Sequence, residues 1–118
     1  MSHGKICYVH LPSRNVGESS AFYQQVFGWS VRQRGDGRLA FDDGVGSVSG
    51  AWITGVEPAP EKGMLFYIMA DDAEATIKEI VSHGGKIIRS VGSDAPEITA
   101  YFSDPTGNIW GIYQEPVK

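Results

Sequence analysis

The residues best equipped for chemistry are few, and they sit on strand-like stretches. Tyr8 and His10 lie two apart in Lys5-Ile6-Cys7-Tyr8-Val9-His10-Leu11. An extended backbone therefore puts their rings on one face. An imidazole titrates near neutrality and can take a proton as general base. No second group is placed by sequence to orient it, so a hydrogen-bonded structural histidine is the competing reading of His10. Cys7 falls on the opposite face and reads as a small buried hydrophobe. Asp42, Asp43, Asp71, Asp72 and Asp104 fall at turns and caps, not as a catalytic carboxylate pair. His83 falls in the last turn of a helix, where a cation suits the dipole, and reads as structural. There is no Gly-x-Ser-x-Gly, no phosphate-binding loop and no Cys-x-x-Cys.

Composition narrows the partners. A net charge of −4 and a pI near 5.2 argue against nucleic acid or a membrane surface, which need clustered Lys and Arg. The ten basic residues are scattered. No apolar run approaches the roughly 18 residues of a membrane span, and no secretory leader is read at the start. One cysteine cannot form an internal disulfide, which suits a reducing cytoplasm. The expected location is cytoplasmic.

The elements that must position these residues follow in order. Residues 5–13 read as a strand closed by Pro12. Asn15-Val16-Gly17-Glu18 is a capping box, and a helix runs to about Phe27, stopped by Gly28. Strands follow over Trp29–Arg34, Arg38–Asp42 and Ser47–Thr54, joined by Gly35-Asp36-Gly37 and Asp43-Gly44-Val45-Gly46. Gly55–Gly63, with Pro58 and Pro60, is a linker. Met64–Ala70 is a strand. Asp71-Asp72-Ala73-Glu74 is a second capping box with Asp71 as N-cap, and its helix runs to about His83. Strands over Lys86–Val91, Ile98–Ser103 and Asn108–Gln114 complete the chain. A length of 118 residues fits one domain: module one over 5–54, linker over 55–63, module two over 64–114.

The two halves repeat each other. Phe41, Asp43, Gly46, Val48, Gly50 and Trp52 match Phe102, Asp104, Gly107, Ile109, Gly111 and Tyr113 at an offset of 61 (102 − 41). The capping boxes lie 56 apart (71 − 15), as do the helix-ending glycines (84 − 28). A duplicated βαβββ unit is expected.

This arrangement resembles the vicinal oxygen chelate superfamily of glyoxalase I, bleomycin-resistance proteins and extradiol dioxygenases. The residues that carry it are Asn15 to Tyr23 with Val26-Phe27-Gly28-Trp29, Phe66-Tyr67-Ile68 with Asp71-Asp72, and Asp104-Pro105-Thr106-Gly107-Asn108. The resemblance implies an α+β fold, two tandem βαβββ modules forming paired curved mixed sheets around a cavity, usually in a homodimer. Active members commonly hold one divalent metal through four strand side chains. Those positions carry over to Tyr8, Gly50, Leu65 and Gly111, none of which is His, Glu or Gln. Neighbouring positions offer only Cys7 as a ligand. No metal and no cofactor are expected.

If those four positions face the cavity, strand parity extends the wall. It then comprises Tyr8, His10, Val48, Gly50, Trp52, Leu65, Tyr67, Met69, Ile109, Gly111 and Tyr113. Such walls are apolar and aromatic with a few polar tips, which suits a small, partly aromatic organic ligand. Metal-independent binding of such a molecule is the leading expectation. One alternative is a lyase, isomerase or dioxygenase of the same superfamily, with His10 and Tyr8 moving protons. Another is a non-catalytic interaction or regulatory domain whose aromatics fill the cavity.

Overall fold

Asn15 has an extended backbone, and its side chain accepts the Glu18 N–H at 3.0 Å. That cap opens α1 (Val16–Phe27), and Gly28, with φ of 70°, closes it. In this computed structural model the described residues are 6–35, 37–58 and 64–116. Lys5, Asp36 and the 59–63 part of the expected linker lie outside them. The chain forms two compact units that divide between Glu57 and Pro58.

The first unit runs β1 (Tyr8–Pro12), α1, β2 (Ser30–Gln33), β3 (Leu39–Asp42) and β4 (Ser49–Ile53). Its sheet order is β1-β4-β3-β2, with β1 parallel to β4 and the other pairs antiparallel. One face of the sheet packs on α1 through aromatic rings. Tyr23 of α1 stacks on Trp29, and Trp29 stacks on Phe41, each pair with centroids 4.6 Å apart. Trp52 completes the cluster, 4.9 Å from Phe41. These four are at most 6% exposed. Leu11 is also buried.

The second unit runs β5 (Tyr67–Met69), α2 (Ala73–Ser82), β6 (Lys86–Arg89), β7 (Ile98–Ser103) and β8 (Ile109–Gln114). Its sheet order is β5-β8-β7-β6, again with one parallel pair, β5 and β8. Ile80 of α2 is buried, as are Ala100, Phe102, Trp110 and Ile112 of the sheet. The expected N-cap is corrected by one residue. Asp72, not Asp71, accepts the Ala75 N–H at 3.1 Å, and Asp71 is exposed. The caps therefore lie 57 apart (72 − 15). Strand β5 is also shorter than the Met64–Ala70 expected.

The repeat holds, but not at one offset. The Asp43 N–H donates to the Val48 carbonyl, five residues on, whereas the Asp104 N–H donates to Asn108, four residues on. The first turn thus carries one extra residue. Phe41 pairs with Gly50, but its counterpart Phe102 pairs with Trp110. The last strands correspond at an offset of 60, so Gly111 matches Ala51 (111 − 51) and Gly50 matches Trp110 (110 − 50). The equal spacing of Gly50 and Gly111 from their upstream aspartates is a coincidence of sequence.

Candidate functional site

Each sheet has one face without a helix, and the site residues must be sought there. In the first unit this face is polar. Cross-strand pairing places Tyr8 beside Ser49, His10 beside Ala51, and Arg32 beside Ala40. Arg32 donates to Asp42 at 3.1 Å, and Ser49 donates to the same carboxylate at 2.5 Å. Arg34 donates to the Tyr8 hydroxyl at 3.4 Å. Tyr8 and His10 meet edge to face with centroids 5.7 Å apart, and both are exposed. The His10 ring makes no hydrogen bond among the described residues.

Hydrogen bonds from Arg32 and then Ser49 hold the Asp42 carboxyl below its ordinary 3.8. A depressed folded value adds stability above the unfolded value, and that stability fades as pH falls through the folded one. Asp42→Asn should therefore lower the urea midpoint slightly at about pH 6 and not at all at about pH 2. Urea titrations of both proteins at the two pH values check this. An equal gap at both would mean that the carboxylate charge is irrelevant.

In the second unit the helix-free face is aromatic. Tyr67, Met69, Thr99 and Tyr113 line an open depression of about 350 Å³. Tyr67 and Met69 are 47% and 58% exposed, which is unusual for large apolar side chains on a sheet face. Tyr67 sits opposite Gly111, and its ring occupies the space that a Gly111 side chain would take. Its hydroxyl meets that of Tyr101 at 3.2 Å. That hydrogen bond, followed by burial, raises the Tyr67 phenol above 10, so it stays neutral and able to donate. The Arg89 guanidinium lies over the Tyr101 ring, 4.6 Å from its centroid. A β-bulge between Ile87 and Arg89 puts it there: Ile87 pairs with Phe102, and Arg89 with Tyr101. Bulges re-aim side chains in this way.

The expected wall is thus brought together only in part. Tyr8 and His10 share the helix-free face of the first sheet, as expected. Tyr67, Met69, Gly111 and Tyr113 share that of the second. Leu65, just ahead of β5, and Ile109, at the start of β8, are half-buried. Gly50 and Trp52 are a correction. They lie on the α1 side of their sheet, because the extra turn residue shifts β4 by one, and Trp52 packs against Tyr23 and Phe41. Val48 precedes β4 with the same parity and is half-buried. Cys7 is a second correction, for it is exposed, lying one residue ahead of β1. Sequence reasoning missed Thr99, Tyr101 and Arg89. The alternation Thr99, Tyr101 in a strand was a usable signal, whereas the bulge behind Arg89 was not.

Among the described residues the corrected register brings no metal-ligating set together. The residues now sharing the two faces add Ser49, Ala51 and Asp42, and Asp42 is engaged by Arg32 and Ser49. No three His, Cys, Asp or Glu side chains converge among the described residues. The donor set does not fit the four-ligand divalent centre that the fold family implies.

Two mixed four-stranded sheets, each in a βαβββ unit, define the class, and comparison with known proteins agrees. The Glyoxalase/Bleomycin resistance protein/Dioxygenase superfamily matches residues 5–112, and the chain belongs to it. A glyoxylase-like domain-containing protein of Didymella fabae is 30% identical, with 98% of both chains covered. A protein of Mycolicibacterium smegmatis is 38% identical over 100% of this chain and 99% of its own. Among solved structures, a glyoxalase/bleomycin resistance protein/dioxygenase family enzyme of Burkholderia phytofirmans PsJN superposes with a TM-score of 0.77 at 19% identity, covering 94% of this chain and 98% of its own. TnmS3, an antibiotic binding protein from Streptomyces sp. CB03234, superposes with a TM-score of 0.71 at 20% identity, covering 98% and 99%. At such identities the likeness concerns the fold. No helix among the described residues is long and apolar enough to cross a membrane.

Proposed function

We propose that the chain binds a small, partly aromatic organic molecule without a metal, on the helix-free face of the second sheet. The observation that carries this is the depression built from Tyr67, Met69, Thr99 and Tyr113, whose aromatic and thioether walls stay exposed. Flat rings stack on such walls, and the phenols and the Thr99 hydroxyl orient them. Arg89 over Tyr101 favours ligands that carry an electron-rich or anionic edge. The antibiotic-binding neighbour gives a precedent for this fold holding an organic ligand. Proton transfer by His10 gains no support, since no hydrogen bond orients its ring among the described residues. A cytoplasmic homodimer belongs to the same proposal, and sedimentation equilibrium would read twice the 12.8 kDa chain mass.

The test is a thermal-shift screen of aromatic metabolites and antibiotics in EDTA. A ligand at about 100 times its Kd should stabilise by about 2.7 kcal/mol. Tyr67→Ala should abolish the shift and leave the unliganded Tm nearly unchanged, because Tyr67 is exposed. Hits that appear only with added Zn²⁺, Ni²⁺, Mn²⁺ or Fe²⁺ would overturn the metal-free reading.

A further inference from the structure

Strand register sets a cation at one end of the aromatic depression. Thr99 and Tyr101 lie two apart on β7 and face the same way, roughly 7 Å from each other. Thr99 pairs with Tyr113 in the depression, and Tyr101 pairs with Arg89 on the edge strand β6. Arg89 thus stands one step along the face from the depression. Lys86, the other cation of β6, pairs with Ser103, one step further away.

The bulge is what brings Arg89 to this face. Ile87 pairs with Phe102, so an unbroken antiparallel register would set Ile88 opposite Tyr101 and turn Arg89 to the α2 side. Instead Ile88 is left 47% exposed, and the guanidinium comes to lie over the Tyr101 ring. Bulges that re-aim a side chain in this way are common beside binding and active sites. The ring contact uses the charge of Arg89 but none of its N–H donors. Its side chain makes no hydrogen bond and no ion pair among the described residues. Asp94 does not neutralise it. After the Tyr101 hydrogen bond and burial, Asp94 and Arg89 act on the Tyr67 phenol in opposite senses, yet the two form no ion pair. A planar fork of donors therefore borders walls that suit a flat ring, and such a fork matches a carboxylate in geometry as well as charge.

We infer that the depression selects small aromatic monocarboxylates, with the carboxylate on the Arg89 guanidinium and the ring across Thr99 and Tyr113 against Tyr67. This rests on the reading of the aromatic face as a binding site, and it names the ligand class and the residue that sets it.

Two-dimensional ¹H–¹⁵N spectra of the full chain in EDTA test it, titrated at constant ionic strength with sodium 2-naphthoate and with its neutral twin, 2-naphthamide. Both should shift the amides of Thr99, Tyr101 and Tyr113 and saturate, the naphthoate with a Kd about tenfold lower. Arg89→Met should remove that preference and leave the naphthamide Kd unchanged. Arg89→Lys, which keeps the charge without the fork, should keep only part of the preference. Lys86→Met removes the same charge one pair further off and should leave the preference intact. Equal affinity of the unaltered chain for the two compounds, or an equal loss in Arg89→Met and Lys86→Met, would overturn the inference and leave the aromatic-face reading standing. Failure of both compounds to saturate, or shifts confined to residues outside the second sheet, would overturn the two together.

Discussion

Gly50→Ala should lower the unfolding free energy by about 3 kcal/mol or more. An added Cβ would lie 2.1 Å from the Val9 carbonyl oxygen and 2.5 Å from the Phe41 ring. The carbonyl belongs to the neighbouring strand and cannot move without breaking the β1–β4 pairing. Phe41 is held between Trp29 and Trp52 and cannot rotate away. For a chain of this size the loss amounts to a fall in Tm on the order of 10 °C. The paired glycine supplies the contrast. At Gly111 the three atoms nearest the added Cβ all belong to the Tyr67 ring, the closest at 2.5 Å, and Tyr67 is half in solvent. Gly111→Ala should therefore cost less than about 1 kcal/mol, because the ring swings outward. It should instead weaken ligand binding on the aromatic face, since Tyr67 would leave Tyr101. Calorimetry of the two single variants decides the matter. Equal losses of stability would refute the opposite placement of these glycines.

Asp104→Ala should cost roughly 4 kcal/mol. One carboxylate oxygen accepts the N–H groups of Thr106, Gly107 and Asn108 at 3.0, 2.8 and 2.9 Å. The other accepts the Asn108 side-chain amide at 2.9 Å. Asp104 is 3% exposed, and Asn108 is completely buried. Truncation would strand several buried donors at once. Asp43, its counterpart, accepts Ser47 and Val48 N–H at 2.8 and 3.3 Å in a more open turn. Asp43→Ala should cost about 1 kcal/mol. Chemical denaturation of both variants gives the comparison. A smaller loss at Asp104 than at Asp43 would mean that the Asp104 network contributes little.

The architecture was legible because local signals agreed. Caps, turn glycines and apolar strands fell in the same order twice, and a fixed fold accounts for that order. Three details were not legible, each for a stated physical reason. Asp71 and Asp72 are equally able to cap a helix. Tertiary structure chooses, since the Gln114 side chain of β8 accepts the Ala73 N–H at 2.7 Å and fixes where α2 starts. The extra residue between Asp43 and Val48 was masked by two glycines at one spacing, and the mistake inverted the facing of Gly50 and Trp52. Arg89 owes its position to a bulge, which depends on the partner strand and leaves no local mark.

That extra turn residue shows what a change of length does in a sheet protein. Residue identity acts at one point, whereas a one-residue insertion shifts the frame of every position downstream in its strand. Here the backbone absorbed the shift, so β4 and β8 still occupy the same places while their sequences have slipped past each other. The twin halves were thereby released from matching constraints. One became free to fill its interior with indole and phenyl rings, and the other to keep phenols on its outer face. Exchanging β4 for β8 by aligned letters would bury the wrong side of each. Exchanging them by hydrogen-bond register would keep the facing of each strand, but it would set Trp110 in the place of Gly50, where no side chain fits.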